Sequence, residues 1–300
     1  MRFMENVKGL LEELENERKK IAKKSRIFYA LAFVFMILGM ALCFFVHPLF
    51  MLLIFIGVIL LVVIMPQVNK FKKKFKGSVV SAMIKEELGS DAVYRQSGGI
   101  PIEEINALGV AAEPDRHYEE DYITCTYNDI PYEMCDCTLQ ERVVTRDSKG
   151  NRQVTYETYF KGRVIKIDFQ RDLNMELKVV NNATRGFKYK PLLPFETELI
   201  EFNKKFKCYA SSKEDGFYIL TPMLIQKMLE LENKFKGGMY YVIKHNNLYV
   251  LINNSGDSLE VNIHKALDEK QLNKIRADIL IGASIINEFR MDKDKYNVNR

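Results

Sequence analysis

The chain has 300 residues, 47% of them hydrophobic and 28% charged, and a net charge of +5. Residues 1–76 carry thirteen Lys and Arg against five Glu, so residues 77–300 have a net charge of −3. Because the basic charge is confined to one end of the chain, it does not indicate a nucleic-acid partner.

Residues 1–26 are predicted to form an amphipathic N-terminal helix, because apolar residues recur among Glu and Lys at three- to seven-residue intervals. The apolar positions are Phe3, Val7, Leu10, Leu14 and Ile21. Such a helix could pair with a second copy, lie on a membrane leaflet or pack on the following domain. The sequence leaves these alternatives open.

Residues 27–66 are almost continuously apolar and predict a transmembrane helical hairpin. Residues 27–46 contain no charge and, at about 1.5 Å per residue, match the roughly 30 Å hydrocarbon core of a bilayer. Residues 49–65 form a second uncharged span that ends before Pro66. A buried core hairpin is disfavoured because a soluble helix keeps a polar stripe. A cleaved signal peptide is disfavoured because charged, helix-forming residues precede the first span.

Basic clusters flank both spans and predict a cell-membrane protein whose two termini are cytoplasmic. The clusters are Arg18, Lys19, Lys20, Lys23, Lys24 and Arg26 before the first span, and Lys70, Lys72, Lys73, Lys74 and Lys76 after the second. The lipid bilayer is the expected partner, and its anionic headgroups would attract both clusters. Gly39 and Cys43 would let the spans of two copies approach closely, so a homo-oligomer is a further hypothesis.

Residues 67–90 are predicted to be a basic connector followed by a helix, and residues 91–291 a cytoplasmic α+β domain. Short alternating runs between turn residues indicate an antiparallel sheet that curls into a β barrel or packs as a sandwich. The predicted strands are residues 122–127, 132–139, 140–145, 153–160, 162–169, 175–180, 206–210, 216–220, 239–244 and 248–253. The predicted turns are residues 128–129, 147–151 and 245–247.

Two helices are predicted to pack on this sheet. Thr221 offers a capping hydroxyl ahead of a helix over residues 222–235, which starts with a proline. A last helix begins near Asp268, where Gln271 lies at the capping-box spacing. A barrel closed by a helix resembles the pleckstrin-homology-like plan, which is an analogy of fold alone. Residues 292–300 are predicted to be a polar tail.

Common motifs for phosphate binding, nucleophilic catalysis, paired-histidine metal binding and calcium binding do not occur, so no catalytic residue, cofactor or metal ligand is predicted. Cys135 and Cys137 share one face of a predicted strand and Cys125 is set apart from them, which favours small buried residues over a zinc site. His117 near Glu119 is a local cluster with acid–base potential, which a solvated acidic loop explains more simply.

Four sequence blocks occur in a particular order. They are residues 118–123 (YEEDYI), 159–165 (YFKGRVI) with Asp168 and Phe169, 202–209 (FNKKFKCY) and 217–222 (FYILTP). In this order, after two spans, they resemble the bacterial domain-of-unknown-function family 3137. The resemblance implies the architecture and implies no reaction, cofactor or catalytic residue. Glu119 stands where the family usually has a glycine, so a tight turn at that position is not implied.

Basic side chains beside aromatic ones are the candidate contact residues for anionic lipid headgroups or a protein partner. They are Lys188 and Lys190, which alternate with Phe187 and Tyr189, and Lys204 and Lys205. In an extended segment the two aromatic side chains would pack on one side while the two lysines stay in water. The leading hypothesis is a non-enzymatic scaffold or binding module held at the cytoplasmic leaflet. The alternative is a membrane-bound enzyme whose active site is assembled from distant loops.

Overall fold

The computed structural model of the chain describes five segments, which contain nine α-helices and nine β-strands. The segments are residues 2–146, 150–169, 173–181, 186–235 and 237–289, with side chains described from residue 9 onward. The helices are α1 Arg2–Phe45, α2 Met51–Phe75, α3 Ser81–Leu88, α4 Ile102–Ala107, α5 Ile200–Lys205, α6 Lys213–Ile219, α7 Pro222–Phe235, α8 Glu269–Ile279 and α9 Ile281–Glu288. The strands are β1 Val93–Ser97, β2 Arg116–Tyr127, β3 Ile130–Arg146, β4 Arg152–Asp168, β5 Glu176–Asn181, β6 Leu193–Phe195, β7 Phe206–Ala210, β8 Gly238–Lys244 and β9 Asn247–Asn253.

The chain divides into two compact units. The first comprises Met1–Met83 with Leu259–Arg276, and the second comprises Ile84–Ser258 with Ala277–Arg300. We call them the helical unit and the sheet unit. The predicted polar tail, residues 292–300, and part of the predicted turn at 147–151 lie outside the described residues.

The helical unit is built on an antiparallel hairpin of α1 and α2. The predicted N-terminal helix and first span form one continuous helix, because helix-forming Glu, Lys and Ala residues lead into the apolar run without a break. A short 3-10 turn at Pro48–Phe50 reverses the chain, and the His47 ring accepts a hydrogen bond from the Leu49 amide (3.1 Å). Pro66, which follows the predicted second span, lies inside α2. A proline removes one backbone hydrogen bond, and neighbouring turns can carry the helix past it.

The lower part of this hairpin, residues 9–26 of α1 and 66–75 of α2, is the hairpin base. Leu14 and Phe75 are fully buried there. Arg18 is also buried and binds both carboxylate oxygens of Glu15, each at 2.7 Å. The base is thus packed as the core of a water-soluble protein is packed, with its buried charge paired.

A later segment, residues 259–267, packs against the hairpin base within the same unit. The Arg18 guanidinium donates to the Ile263 carbonyl oxygen (2.6 Å), and Glu15 accepts a bond from the Leu267 amide (3.0 Å). Glu260 pairs with Lys72 (2.8 Å) and with the buried Lys76 (2.6 Å). Lys76 begins a turn of π-helix, Lys76–Val80, between α2 and α3. These contacts join parts of the sequence that are about 180 to 250 residues apart.

The sheet unit contains a single nine-stranded sheet in which every pairing is antiparallel, with the order β1-β2-β3-β4-β9-β8-β5-β7-β6. The α+β class predicted from the sequence is confirmed. The closed barrel or two-sheet sandwich, and with it the pleckstrin-homology-like plan, is wrong, because β1 and β6 are the two ends of an open order. Strands β1 and β6 were not predicted.

The central hairpin of β3 and β4 is longer than predicted. Each strand has 17 residues, and each joins two runs that the sequence analysis separated. A bulge between Leu139 and Gln140 keeps the pairing continuous where the alternation of the sequence is interrupted. The turns at Asn128–Asp129 and at His245 have positive φ, as expected of two-residue hairpins.

One predicted strand is wrong, since residues 216–220 belong to helix α6. The Ser212 side chain accepts a hydrogen bond from the Asp215 amide (3.1 Å) and caps this helix. A Ser followed by Asp three residues later is a helix-start signal, and it outweighs the apolar run of Phe217 to Leu220.

Different helices pack on the two faces of the sheet. On one face, Ile105 of α4 and the adjoining Leu108 and Val110 pack on Cys135, Val164 and Leu251. On the other face, Leu224 and Met228 of α7 and Phe289 lie against Tyr241 and Leu248. Gly162 in β4 is needed for close strand packing, because a Cβ there would lie 1.9 Å from the Ile252 carbonyl oxygen.

Candidate functional site

The four predicted contact lysines fall into two groups beside the β6 end of the sheet. Lys188 and Lys190 lie between Gly186 and β6, whereas Lys204 and Lys205 form the last turn of α5 before β7. The ammonium of Lys188 pairs with Glu113 (3.0 Å), and both side chains are exposed. The ammonium of Lys205 pairs with Glu232 (2.6 Å) and contacts Asn233 (2.9 Å). Strands β6 and β7 are hydrogen-bonded neighbours, so both groups flank one edge of the sheet.

Three aromatic rings stack beside the first group. The ring centroid of Tyr209 lies 5.0 Å from that of Phe187 and 4.9 Å from that of Tyr189, and Phe187 and Tyr189 are 6.2 Å apart. Phe187 and Tyr209 also pack on the core cluster of this face. The packing expected for Phe187 and Tyr189 is therefore found, although residues 187–189 are not in a strand. Sequence reasoning missed Tyr209, whose place in a predicted strand was the available signal.

A buried lysine holds the loop that carries these residues. Lys178 of β5 donates to the Lys188 carbonyl oxygen (3.1 Å) and pairs with Glu176 (3.3 Å). Burial lowers the pKa of Lys178, and Glu176 opposes that effect. Lys207 precedes Tyr209 by two residues, so both lie on the same face of β7, and Lys207 is exposed. We call Phe187, Lys188, Tyr189, Lys190, Lys207 and Tyr209 the aromatic-basic surface.

A second feature is an open polar groove of about 640 Å³, lined by residues at one end of β2, β3 and β4 and by the turn before β9. Its lining includes Asp91, Glu133, Lys166, Asp168 and Asn246. The Lys166 ammonium bridges Glu133 (3.1 Å) and Glu104 of α4 (2.7 Å). Sequence reasoning did not find this groove, because its side chains come from four separate strands and loops.

The cysteines are placed for packing. Cys135 and Cys137 lie in the core cluster between the sheet and α4, and Cys125 and Cys208 are also buried. Burial raises the pKa of Cys125 to about 11 and those of Cys135 and Cys208 to about 12. Since the thiolate is the reactive form, these thiols are poor nucleophiles.

Two further polar groups have structural partners. The His117 ring contacts Glu119 at 2.6 Å in an exposed position at the start of β2. Arg163 is buried and binds Asp136 (2.8 Å) and the Asp278 carbonyl oxygen (2.5 Å). Asp136 also accepts a bond from the Ser258 amide (2.8 Å). The Arg163 network ties β3 and β4 to the segment that follows β9 and to the last turn of α8.

The upper part of the α1–α2 hairpin, residues 27–65, is the apolar hairpin. Two helical stretches, Gly9–Phe45 and Pro48–Leu88, are long and apolar enough to cross a membrane. Only 11% of the most apolar part of each is buried, whereas a core helix of a soluble protein is mostly buried. The apolar hairpin is held together at its seam by Gly39 and Gly57, which contact the facing helix.

Comparison with known proteins gives a family and a distant structural likeness. Residues 158–291 match the family described as "Protein of unknown function (DUF3137)". The match covers a little less than half of the chain and supports the resemblance that the sequence blocks indicated. No curated protein matches the sequence. A solved structure, the crystal structure of the mycobacterial trehalose monomycolate transport factor A, TtfA, aligns with a TM-score of 0.39 and 5% identity over 70% of this chain and 96% of that chain. At that TM-score the likeness carries no argument about fold or function.

Proposed function

We propose that the protein is an integral membrane protein whose apolar hairpin crosses the cell membrane twice and holds the sheet unit at the cytoplasmic leaflet as a binding module. The observation that carries this proposal is the exposure of the apolar hairpin. Phe44 is 83% exposed and Val62 is 62% exposed, and both lie in the uncharged stretches of α1 and α2. Large contiguous apolar surfaces on a folded chain mark contact with a membrane or a partner.

The charges at the ends of the apolar hairpin support the proposed orientation, in which the sheet unit lies on the cytoplasmic side. Basic residues precede the first span and follow the second, and the connection between the spans is a short turn. The excess of Lys and Arg marks the cytoplasmic side. Both termini and the whole sheet unit then belong to the cytoplasm, and little of the chain is left on the far side.

Within this function, the aromatic-basic surface is the part of the sheet unit that contacts anionic headgroups. Its stacked rings are rigid, because each ring packs on another ring or on the core cluster. Its lysines Lys188 and Lys207 are exposed to water. Each lysine near an anionic surface contributes about 1 kcal/mol, so three of them would give measurable, salt-sensitive contact.

The experiment uses the full chain in nanodiscs. Because the chain has no tryptophan, Tyr189→Trp gives a single indole on the aromatic-basic surface. Its fluorescence is measured in discs of neutral or of anionic lipid, each with brominated acyl chains that quench a nearby indole. We expect quenching in anionic discs that weakens as salt is raised and falls when Lys188, Lys190 and Lys207 are changed to Gln.

A matched control places the indole elsewhere on the sheet. Tyr118 in β2 is 57% exposed and lies outside the aromatic-basic surface, so Tyr118→Trp should be quenched equally in neutral and anionic discs. Equal quenching of the Tyr189→Trp indole in both lipids would contradict the proposed headgroup contact. Recovery of the unmodified protein from cells in the soluble fraction would contradict the membrane function itself.

A further inference from the structure

We infer that the outer edge of β4 is an interface, which pairs with the same edge of a second copy of this chain and joins two β-ribbons into one continuous sheet. The interface lies in the part of the β3–β4 hairpin that extends past the neighbouring strands, residues 141–146 and 152–158, which we call the β arm. The β arm is distinct from the aromatic-basic surface and from the apolar hairpin. The inference does not depend on the membrane function proposed above.

The β arm is a two-stranded ribbon within the described parts of the chain. Strand β2 pairs with β3 only as far as Gln140, and β9 pairs with β4 only from Gly162 onward. Most side chains of the β arm are exposed on both faces. A two-stranded ribbon is at best marginally stable in water without a further strand or a packed face. A strand added from outside would therefore stabilise the β arm.

The two edges of the β arm are not equally open. On the β3 side, the Asp115 carboxylate accepts a hydrogen bond from the Arg142 amide (2.7 Å), and the Gln140 carbonyl oxygen accepts one from the Asp115 amide (2.9 Å). A charged side chain at a strand edge hinders the addition of another strand. On the β4 side, no hydrogen bond from the described residues reaches the outer edge at residues 152–157. The open edge is thus that of β4.

The hydrogen bonds of Asp115 also show which backbone groups face the open edge. The Arg142 amide points away from β4, and directly opposite residues of an antiparallel pair are alike in this respect. Tyr156 lies opposite Arg142, so its N–H and C=O point to the outer edge of β4. Those of Val154 and Arg152 do the same, because backbone groups alternate in direction along a strand. The side chains of these three residues also share one face.

The sequence of this edge is complementary to itself in an antiparallel pairing. When Val154 lies opposite Val154 of the second copy, Arg152 lies opposite Tyr156 of the second copy. On the other face, Gln153 lies opposite Thr155 of the second copy. This register pairs two valines, a guanidinium with an aromatic ring, and two polar side chains that can hydrogen-bond, and it opposes no like charges. Each of the pairs made by residues 152, 154 and 156 would exchange two backbone hydrogen bonds.

The pairing also offers a contact to a guanidinium near the tip of the β arm. Arg146 and Arg152 lie directly opposite each other, and like charges in that position are destabilising. The Tyr156 ring of the second copy gives Arg152 a cation–π contact. Tyr156 already makes a contact of this kind within its own copy, where the Arg116 guanidinium carbon lies 3.4 Å from the ring centroid, and Tyr156 is still partly exposed. An acidic partner would account for the arginines but not for the self-matching edge.

The test is disulfide cross-linking of the full chain in a Cys43→Ser background. Two forms of each variant, with tags of different size, are produced together, and the cell lysate is treated with a mild oxidant. In the proposed pairing, the Cα atoms of residue 154 in the two copies are about 5.5 Å apart. Disulfides form at Cα separations of roughly 4.4–6.8 Å. We expect Val154→Cys to give mixed dimers that contain both tags.

Val144→Cys is the matched control. Val144 lies directly opposite Val154 on the same face of the β arm, and the two side chains are 39% and 41% exposed. In the proposed pairing, the two copies of residue 144 are three strand spacings apart, about 14 Å, which is too far for a disulfide. We expect at least fivefold fewer mixed dimers from Val144→Cys. Equal yields, or Val154→Cys adducts that lack a second copy of this chain, would overturn the inference.

A second pair of variants tests the register without changing Val154. Arg152→Cys in one tagged form and Tyr156→Cys in the other should give mixed dimers, because these two positions are opposite each other across the interface. The second Arg152–Tyr156 contact of such a dimer is left intact. Either variant produced alone in both tagged forms should give at least fivefold fewer mixed dimers, since each position is then about 14 Å from its own copy along the strands. Equal yields from the combined and the single variants would overturn the proposed pairing.

Discussion

The two parts of the α1–α2 hairpin belong to the same two helices but differ in whether their apolar side chains are buried. In the hairpin base, Leu14 and Phe75 are fully buried, and Arg18 is paired with Glu15 beneath the segment of residues 259–267. In the apolar hairpin, side chains such as Val34, at 55% exposed, point outward without a cover from the described parts of the chain. Among the described residues, the chain covers the base and leaves these side chains of the apolar hairpin exposed. In the proposed function, the membrane is the apolar medium that covers them.

The largest expected effect comes from a charge on the apolar hairpin. Val34→Arg places a guanidinium where a bilayer would lie, at a cost of about 2.5–3.5 kcal/mol. The matched control is Val93→Arg in β1, where valine is 54% exposed and water is the expected neighbour. We expect Val34→Arg to lower the fraction of protein that resists alkaline extraction from membranes, and Val93→Arg to leave it unchanged. If the two variants resisted alkaline extraction equally, the apolar hairpin would not differ from the water-exposed strand β1 in its surroundings.

Loss of the buried Arg18–Glu15 pair should destabilise the hairpin base. Arg18→Ala leaves Glu15 and the Ile263 carbonyl oxygen without their partner, which should destabilise the helical unit by about 2–3 kcal/mol. Lys19 also pairs with Glu15, at 3.8 Å, but it is 64% exposed, so Lys19→Ala should cost less than about 1 kcal/mol. Thermal loss of helical circular dichroism in detergent measures both. A Lys19→Ala effect as large as that of Arg18→Ala would refute this account of the base.

The Arg18–Glu15 pair should also make the stability of the hairpin base depend on pH. The hydrogen bond from Arg18 holds the pKa of Glu15 at about 2, below its usual 4.5, against the opposing effect of burial. Because the folded pKa is depressed, the stabilisation is fully present above pH 4.5 and is lost as the pH falls toward 2. Glu15→Gln should flatten the pH dependence of the thermal midpoint in this window. An unchanged pH profile in Glu15→Gln would show that Glu15 does not carry this dependence.

Two glycines of the hairpin should respond in opposite directions to the same substitution. A Cβ on Gly57 would lie 2.9 Å from the Ala32 carbonyl oxygen in the apolar hairpin, whereas a Cβ on Gly9 in the base would meet nothing within 4 Å. Gly57→Ala should destabilise the protein, because overpacking costs about 1–3 kcal/mol and exceeds the gain in helix propensity. Gly9→Ala should stabilise it by up to about 1 kcal/mol. Thermal midpoints in detergent that shift in the same direction would argue against the close packing at Gly57.

The sequence was sufficient for the features that depend on local pattern. The apolar run predicted the hairpin, and Thr221 with Pro222 predicted the start of α7. Asp268 was expected at the start of the last helix, and it accepts a bond from the Gln271 amide (2.9 Å) at the start of α8, which is followed by a further helix, α9. In each case the stabilising contact lies within a few residues along the chain, where spacing is visible in the sequence.

Features that depend on distant contacts could not be predicted in the same way. The open sheet follows from pairings such as β4 with β9 and β5 with β7, whose register is set by packing between remote segments. The pairing of Lys76 with Glu260 and the bridge from Glu104 through Lys166 to Glu133 likewise join separate parts of the chain. The lysines proposed as contact residues were chosen for their aromatic neighbours in the sequence, whereas Tyr209 joins them only through the pairing of β7 with β6.

The most direct test of the central claim is the position of the hairpin tip relative to the membrane. Single cysteines are introduced by His47→Cys at the tip, and by Lys20→Cys and Lys73→Cys at the base, in a Cys43→Ser background. The four other cysteines are at most 8% exposed and should react slowly. A membrane-impermeant maleimide is then applied to intact and to lysed cells. We expect labelling of the tip in intact cells and of both base positions only after lysis. Labelling of all three positions only after lysis, together with recovery of the protein in the soluble fraction, would contradict it.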